Sequence, residues 1–526
     1  MNALSYYKPL PKSDTPNHYE ADVCVFTANA SGIIAALKLR RAGYKVALIE
    51  PGTEIGGLTA SGLGATDFGR KEAFGGMARQ FYRDVGAHYG REESWTFEPH
   101  VAEAVFQRYL DEADISVHFR QHLAEVRKER NEIRELIMEN GDRFRARYFI
   151  DASYEGDLLA KAGVSYTVGR ESNEVYGETF NGMQFGHPNH NFRRFVDPYK
   201  IEGDPTSGLC HGISEDNSGR EGDGDHRIQA YNFRLCLTDR DDIRLPFPCP
   251  PDYDPERYEI LRRYIRAGVW DALWLNKEMP NRKSDTNNFG AFSTDHIGAN
   301  HAWPEASYAE REAIFQDHVN YQMGLLYFLA NDPGIPAFVR EEVNRWGLAG
   351  DEFRKTGGWP HALYIREGRR MVTDYVMTEH HAFGRFVAED AIGLAAYQMD
   401  SHNCRRIVLG GRVYNEGNVE LGGFNPFGIS YRSICPRERE CANLVVSWCV
   451  AASHIAFGSI RMEPVGMVLG ESAAEAVIMA MENQSPVQRI NVQELRQRLA
   501  KAGQVVDPPF LPAYRGIRPF ATPAAP

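Results

Sequence analysis

The chain has 526 residues, a formal net charge of −12 and a pI near 5.8, a balance that argues against nucleic acid or an anionic membrane surface as partner. Its length exceeds what one compact core fills and suits two domains with room for a large buried site. No apolar run reads as long enough to cross a bilayer and the N-terminus lacks the apolar core of a signal peptide, so a soluble, cytoplasmic protein is expected.

Residues 1–20 read as a Pro-containing polar arm. Next, Asp22 to Phe26 reads as a buried strand, Ser31 to Ala42 as a helix and Lys45 to Glu50 as a second strand, together a βαβ unit. In such a unit the tight turn lays the helix N-terminus against a pyrophosphate, whose charge the free N–H groups and the helix dipole both favour. Glu50 ends the second strand about 20 residues past the turn, where an acidic side chain meets ribose hydroxyls. The usual three glycines of the turn are reduced to Thr27, Asn29 and Gly32. Asn29 tolerates positive φ, whereas a β-branched Thr27 is awkward in a tight turn. Alone, this turn would suit a plain structural βαβ as well as a nucleotide site. The balance tips with Gly56 and Gly57, followed by Thr59, Ser61, Gly62 and Gly64. A second flexible, hydroxyl-bearing loop suits the pyrophosphate and ribityl chain of a long, bent dinucleotide such as FAD.

Helices are expected from Glu72 to Gly86 and from Val101 to Asp111. Short strands at 115–119, 123–126, 133–139 and 143–147 then read as a β-meander. Residues 148–153 return to the parallel sheet, and Asp151 and Ala152 fall near the dinucleotide because ligands gather at strand C-termini. From 169 to 423 the composition shifts to Pro, Asn, Asp, Arg and aromatics. Helices are expected there at 255–267, 308–329, 337–346 and 370–378, with a half-exposed strand at 229–238. The C-terminal third gives a buried strand at 443–450, a small-residue loop at 451–461 and a helix at 465–481. If that helix points its N-terminus at the flavin N1 and C2 carbonyl, its partial positive charge would stabilise the anionic reduced ring. The eight cysteines include no C-x-x-C pair and read as free buried thiols, not as a zinc or dithiol centre.

The fold class expected is α/β: a Rossmann-like FAD-binding domain of glutathione-reductase type, with a β-meander and an inserted α+β substrate domain. Residues 21–168 and 424–500 form the FAD-binding domain, 169–423 the substrate domain and 501–526 a Pro-rich, extended tail.

Five stretches carry a resemblance along nearly the whole chain: EPGTEIGGLTASGLGATD at 50–67, DASYEGDL at 151–158, YNFRLCLT at 231–238, LYIREGRRMVTDYVM at 363–377 and SHIAFGSIRMEPVGMVLG at 453–470. The chain resembles the FAD-dependent oxidoreductase family often found in bacterial sugar-degrading gene sets and sometimes labelled xanthan lyase. The resemblance implies FAD contacts at Thr27, Asn29, Ser31 and Gly32, then at Glu50 and Pro51, and in the loop of Gly56, Gly57, Leu58, Thr59, Ser61 and Gly62. It also implies Val126 by the adenine, Asp151 and Ala152 by the middle of the cofactor, and Ile460, Arg461, Met462 and Met467 by the flavin. The chain departs from the family at Gly368, Gly466 and Glu471. If 465–469 lines the flavin, Gly466 would enlarge the substrate pocket.

A hydride-accepting flavin needs a base on the protein to take the substrate proton. His454, between the last strand and its helix, is the first choice; the plain alternative is a buried histidine bonded to a loop carbonyl. Arg461 either holds negative charge on the reduced flavin or on a substrate oxygen, or pairs with Glu463. Tyr431 is a proton relay or a packing aromatic, and Arg432 approaches the site beside it. Helical spacing would put Arg366, Arg369 and Arg370 on one side, as an ion-pair network or a substrate clamp. Asp67, His380 and His381 are secondary candidates. His118 and His122 have H-x-x-x-H spacing without a third ligand, so no metal is expected. The function expected is an FAD-dependent dehydrogenase or oxidase taking hydride from a polar small molecule, foremost a CH–OH group of a sugar or glycoside. The alternatives are a flavin monooxygenase, a C=C reductase and a non-catalytic nucleotide-binding protein. Expected partners are the small molecule, an electron acceptor of unidentified class and, as an option, further copies of the chain.

Overall fold

The structure is a computed structural model that describes residues 4–508; the greater part of the expected Pro-rich tail lies outside the described residues. Val23–Phe26 is apolar at each position and buried on both faces, the pattern of a central parallel strand. It pairs in parallel with Val46–Ile49 on one side and Tyr148–Asp151 on the other. Leu444–Val446 extends the sheet past Tyr148–Asp151, and Val117–His118 extends it past Val46–Ile49, giving five parallel strands. This is the expected α/β fold with a parallel sheet.

Helix Ala30–Arg41 lies against helix Glu463–Asn483. At their contact Gly470 has no side chain, because the Ser31 carbonyl fills the space a Cβ would need. By length and composition Glu463–Asn483 would pass for a membrane span, contrary to the reading of the sequence, yet its apolar window is wholly buried inside the fold.

An antiparallel meander of Leu123–Glu129, Glu132–Met138 and Arg143–Arg145 leads into Tyr148–Asp151. The segment read as its first strand joins the parallel sheet instead, because helix Pro99–Glu112 has already returned the chain to that sheet's edge. Residues 18–20 of the arm also pair, His18–Glu20 running parallel to Arg143–Arg145. All eight cysteines are free, seven of them buried and Cys249 exposed.

Helices Glu259–Arg266, Tyr308–Asn331 and Ala337–Asn344 form where apolar spacing indicated them, the longest started by a capping box of Ser307 and Glu310. The spacing misled at 370–378, where only the strand Arg370–Met371 forms. Arg370 is drawn inward to the Ala452 and Gly169 carbonyls and to Glu171, and the Met371 and Val372 N–H groups donate to the Cys449 and Ser165 carbonyls of other segments and not along a helix. Residues 229–235 are buried on every side, so they run through the interior and not along a half-exposed face; only Leu237–Thr238 is strand. The expected loop at 451–461 contains helix His454–Ile460, capped by the Ser453 hydroxyl accepting the Ala456 N–H at 3.3 Å.

Candidate functional site

Between the first strand and its helix, Asn29 keeps φ at −75°. Its Oδ1 accepts the Gly32 N–H at 2.9 Å while its Nδ2 donates to the Ala152 carbonyl at 2.5 Å. Asparagine serves this turn through its two-ended amide, not through positive φ. Gly32 is needed because a Cβ there would overlap the Thr27 carbonyl. Glu50 accepts the N–H groups of Ala28 at 2.9 Å and Gly52 at 2.7 Å, while burial pushes its pKa up to about 7. Gly56 and Gly57 turn at φ +85° and +55°, which side chains resist.

Thr27, Asn29, Glu50, Pro51 and Gly57 line one cavity of about 570 Å³, within the range of ligand sites. His122 lines it too, and its buried Nε2 has no hydrogen-bond partner in the protein. Burial lowers the His122 pKa to about 4, so the ring is neutral. An orphaned imidazole nitrogen and a helix N-terminus on one cavity fit a dinucleotide such as FAD. The H-x-x-x-H spacing is not a metal pair, since His118 packs on Tyr19 and Phe144 while His122 packs on Tyr7 and Tyr308.

Several residues expected at the cofactor stand behind this wall. The Ser31 and Ser447 hydroxyls share a hydrogen bond at 2.9 Å, Ser61 Oγ accepts the Ala362 N–H at 2.8 Å, and Gly62 backs onto the Arg234 carbonyl. Asp151 builds the turn after its strand by accepting the Ser153 N–H at 2.9 Å and the Leu159 N–H at 2.8 Å. The Leu58 N–H donates to the Tyr154 hydroxyl at 2.9 Å, which itself donates to Glu463 at 2.9 Å; the Thr59 hydroxyl donates to the same carboxylate at 2.5 Å. Val126 lies outside the cavity lining, which Arg120 and His122 reach from just before the meander. Ile460, Met462 and Met467 belong to the core. Gly466 widens no pocket, because the Trp448 ring fills the space beside it.

A second cavity, of about 480 Å³, lies across the segment 363–365. Leu363 and Ile365 face the first cavity and Tyr364 the second, the alternation of an extended chain. Asp67, Tyr397, Asp400 and His402 share the lining with Tyr364, while Trp274 and Phe289 add an aromatic pair 4.7 Å apart. Arg461 is buried behind it, donating to the Tyr364 hydroxyl at 3.1 Å and to the Asp400 carboxylate at 2.6 Å. It does not pair with Glu463, which Thr59 and Tyr154 already engage.

The structure brings Asp67 and Arg461 to this cavity, but not His454, Tyr431 or Arg432. His454 is buried with Nδ1 2.8 Å from Glu367 and Nε2 3.1 Å from the Ser401 hydroxyl, so both ring nitrogens are engaged. Tyr431 donates its hydroxyl to the Val487 carbonyl at 2.7 Å. Arg432 pairs with Asp390 at 2.9 Å over the Tyr375 ring, away from either cavity. Arg366, Arg369 and Arg370 diverge to Asp295, Asp157 and Glu171, a network and not a clamp. His380 and His381 point apart, to the Tyr176 carbonyl and to Thr378. Among the described residues Glu98, His100 and Glu352 have metal-like spacing, but the Lys283 ammonium lies 2.7 Å from both carboxylates and supplies the cation.

His402 was not singled out by the sequence. Its Nδ1 lies 2.7 Å from Asp295 and its Nε2 3.3 Å from Asp400. The available signal was the i, i+2 spacing of Asp400 and His402 next to strand Met399–Ser401, which sends both side chains to one side.

A family model described as FAD dependent oxidoreductase matches residues 22–499. No curated protein matches the sequence. Solved structures similar to part of the chain include L-amino acid deaminase from Proteus vulgaris, at 14% identity over 31% of this chain and 55% of that one, with a TM-score of 0.24. Others are 3-ketosteroid-delta4-(5alpha)-dehydrogenase from Rhodococcus jostii, at 14% identity over 28% and 50% with a TM-score of 0.20, and a mutant flavin monooxygenase from Stenotrophomonas maltophilia, at 16% over 32% and 44% with a TM-score of 0.19. The chain spans about half the length of these structures, and likenesses this partial carry no argument about substrate.

Proposed function

This chain belongs to the family of FAD dependent oxidoreductases, with FAD as cofactor, and on that premise we propose that it removes hydride from a CH–OH group of a sugar or glycoside held in the cavity of Tyr364, Asp400 and His402. FAD, when bound, supplies the hydride acceptor. In this reading the first cavity takes the dinucleotide, with the start of helix Ala30–Arg41 toward the pyrophosphate, Glu50 toward the adenosine ribose and His122 toward the adenine. The FAD-binding domain is then of glutathione-reductase type, with 169–423 inserted as the substrate domain. The meander before Tyr148–Asp151 and the return of Leu444–Val446 to the same sheet support that division.

The observation that carries the substrate class is the lining of the second cavity. Asn189, Asn287, Asn288, Gln398 and Asn418 offer donors and acceptors together, as vicinal hydroxyls require. The exposed Trp274 beside Phe289 offers a flat apolar surface to the C–H face of a pyranose. The test is anaerobic mixing of the purified yellow protein with sugars, glycosides, amino acids and steroids. Bleaching of the flavin absorbance by sugars or glycosides is expected; bleaching by another class with none from sugars would end this reading.

A further inference from the structure

We propose that His402 is the group that accepts the substrate hydroxyl proton, with Asp295 as the residue that positions its ring. The proposal rests on the sugar reading of the second cavity and deepens it. Two imidazoles line that cavity among the described residues, His190 and His402. His190 turns Nε2 to the Glu420 carboxylate at 3.3 Å, and its Nδ1 lies 3.5 Å from the Asn288 amide, a donor that occupies the lone pair a substrate proton would need.

His402 is built differently. Its Nδ1 lies 2.7 Å from the Asp295 carboxylate, so the proton of the neutral ring belongs on Nδ1 and the lone pair on Nε2. Asp295 is itself buried and held by Arg366 at 3.0 Å, which fixes the direction of the ring. Nε2 faces Asp400 at a longer 3.3 Å, and Arg461 grips that same carboxylate oxygen at 2.6 Å, which offsets its charge before substrate arrives. A substrate hydroxyl at Nε2 gives up its proton there, and the imidazolium formed is flanked by two carboxylates that stabilise it. The balance closes with FAD bound, which would supply the two-electron acceptor for the hydride lost from carbon, while the hydroxyl proton goes to Nε2 and the C–O bond becomes C=O. The charged groups around the ring are Asp295, Asp400, Arg366, Arg461, His190 and Glu420.

The test compares the native holoprotein with His402→Asn, His402→Gln and Asp295→Asn, each first checked for FAD content and photoreduction. The probes are D-glucose, D-galactose, methyl β-D-glucoside and maltose, mixed anaerobically. With any probe that bleaches the native flavin, both His402 variants should bleach about 10²- to 10⁴-fold more slowly at neutral pH, and Asp295→Asn should also slow while probe saturation changes little. A readout independent of turnover is the histidine Cε1 NMR signal that vanishes in His402→Asn. The ring-nitrogen shifts of the same residue should report the Nδ1–H tautomer in the native protein and lose that preference in Asp295→Asn, whose amide can donate to Nδ1. Bleaching of both His402 variants within about threefold of native, or a tautomer unchanged in Asp295→Asn, overturns the assignment and leaves the sugar reading standing. If no sugar probe bleaches the native flavin, the sugar reading itself fails and this assignment with it.

Discussion

Replacing Glu463 by Gln should make the protein less sensitive to alkaline pH, by an amount the structure sets. The Glu463 carboxylate is 3% exposed and accepts hydroxyl hydrogen bonds from Thr59 and Tyr154. Burial outweighs those bonds and raises its pKa from the ordinary 4.5 to about 7. Between these values the folded protein keeps a proton that the unfolded chain has released. Glu463 therefore contributes stability that is full below pH 4.5 and is lost as pH rises through 7. At about 1.4 kcal/mol per pH unit the loss across that window is ~3 kcal/mol. Gln has no proton to lose, and the Thr59 hydroxyl is free to turn and accept from its amide. The stability of the Glu463→Gln variant relative to native should thus rise by ~3 kcal/mol from pH 4.5 to pH 8, read from urea unfolding of both apoproteins by tryptophan fluorescence. Parallel pH dependences for the two proteins would refute the reasoning.

Gly32→Ala should overpack the turn against the Thr27 carbonyl, costing ~1–3 kcal/mol and weakening FAD binding measured by quenching of flavin fluorescence. Trp274→Ala should raise KM for an active glycoside about fivefold with kcat little changed, since an aromatic face contributes ~1 kcal/mol; stopped-flow flavin reduction reads both. His454→Ala leaves the buried Glu367 carboxylate without its imidazole partner and should destabilise the fold by ~3 kcal/mol, while the rate of flavin bleaching per bound FAD stays near native. FAD affinity should increase as pH rises through about 7, because the Glu50 carboxyl ionises there and its carboxylate is the better acceptor for ribose hydroxyls; Glu50→Gln should flatten that titration.

The sequence by itself determined what depends on neighbours along the chain. Alternation and apolar runs placed the βαβ unit and the meander, and the positions of Gly32, Glu50 and Gly57 followed from turn geometry that a few residues dictate. Periodicity reports which face of an element is buried, however, and not which partner waits there. It could not tell that 370–378 stays extended or that 451–461 begins a helix. In that helix His454 turns into the core toward Glu367 and not into a cavity. The second cavity belongs to tertiary structure alone. Asp295 and His402 are 107 residues apart, Arg461 and Asp400 are 61 apart, and Thr59 and Glu463 are 404 apart. Such pairs form because packing brings buried polar groups together and leaves each no better partner than the other, a choice that no local pattern encodes.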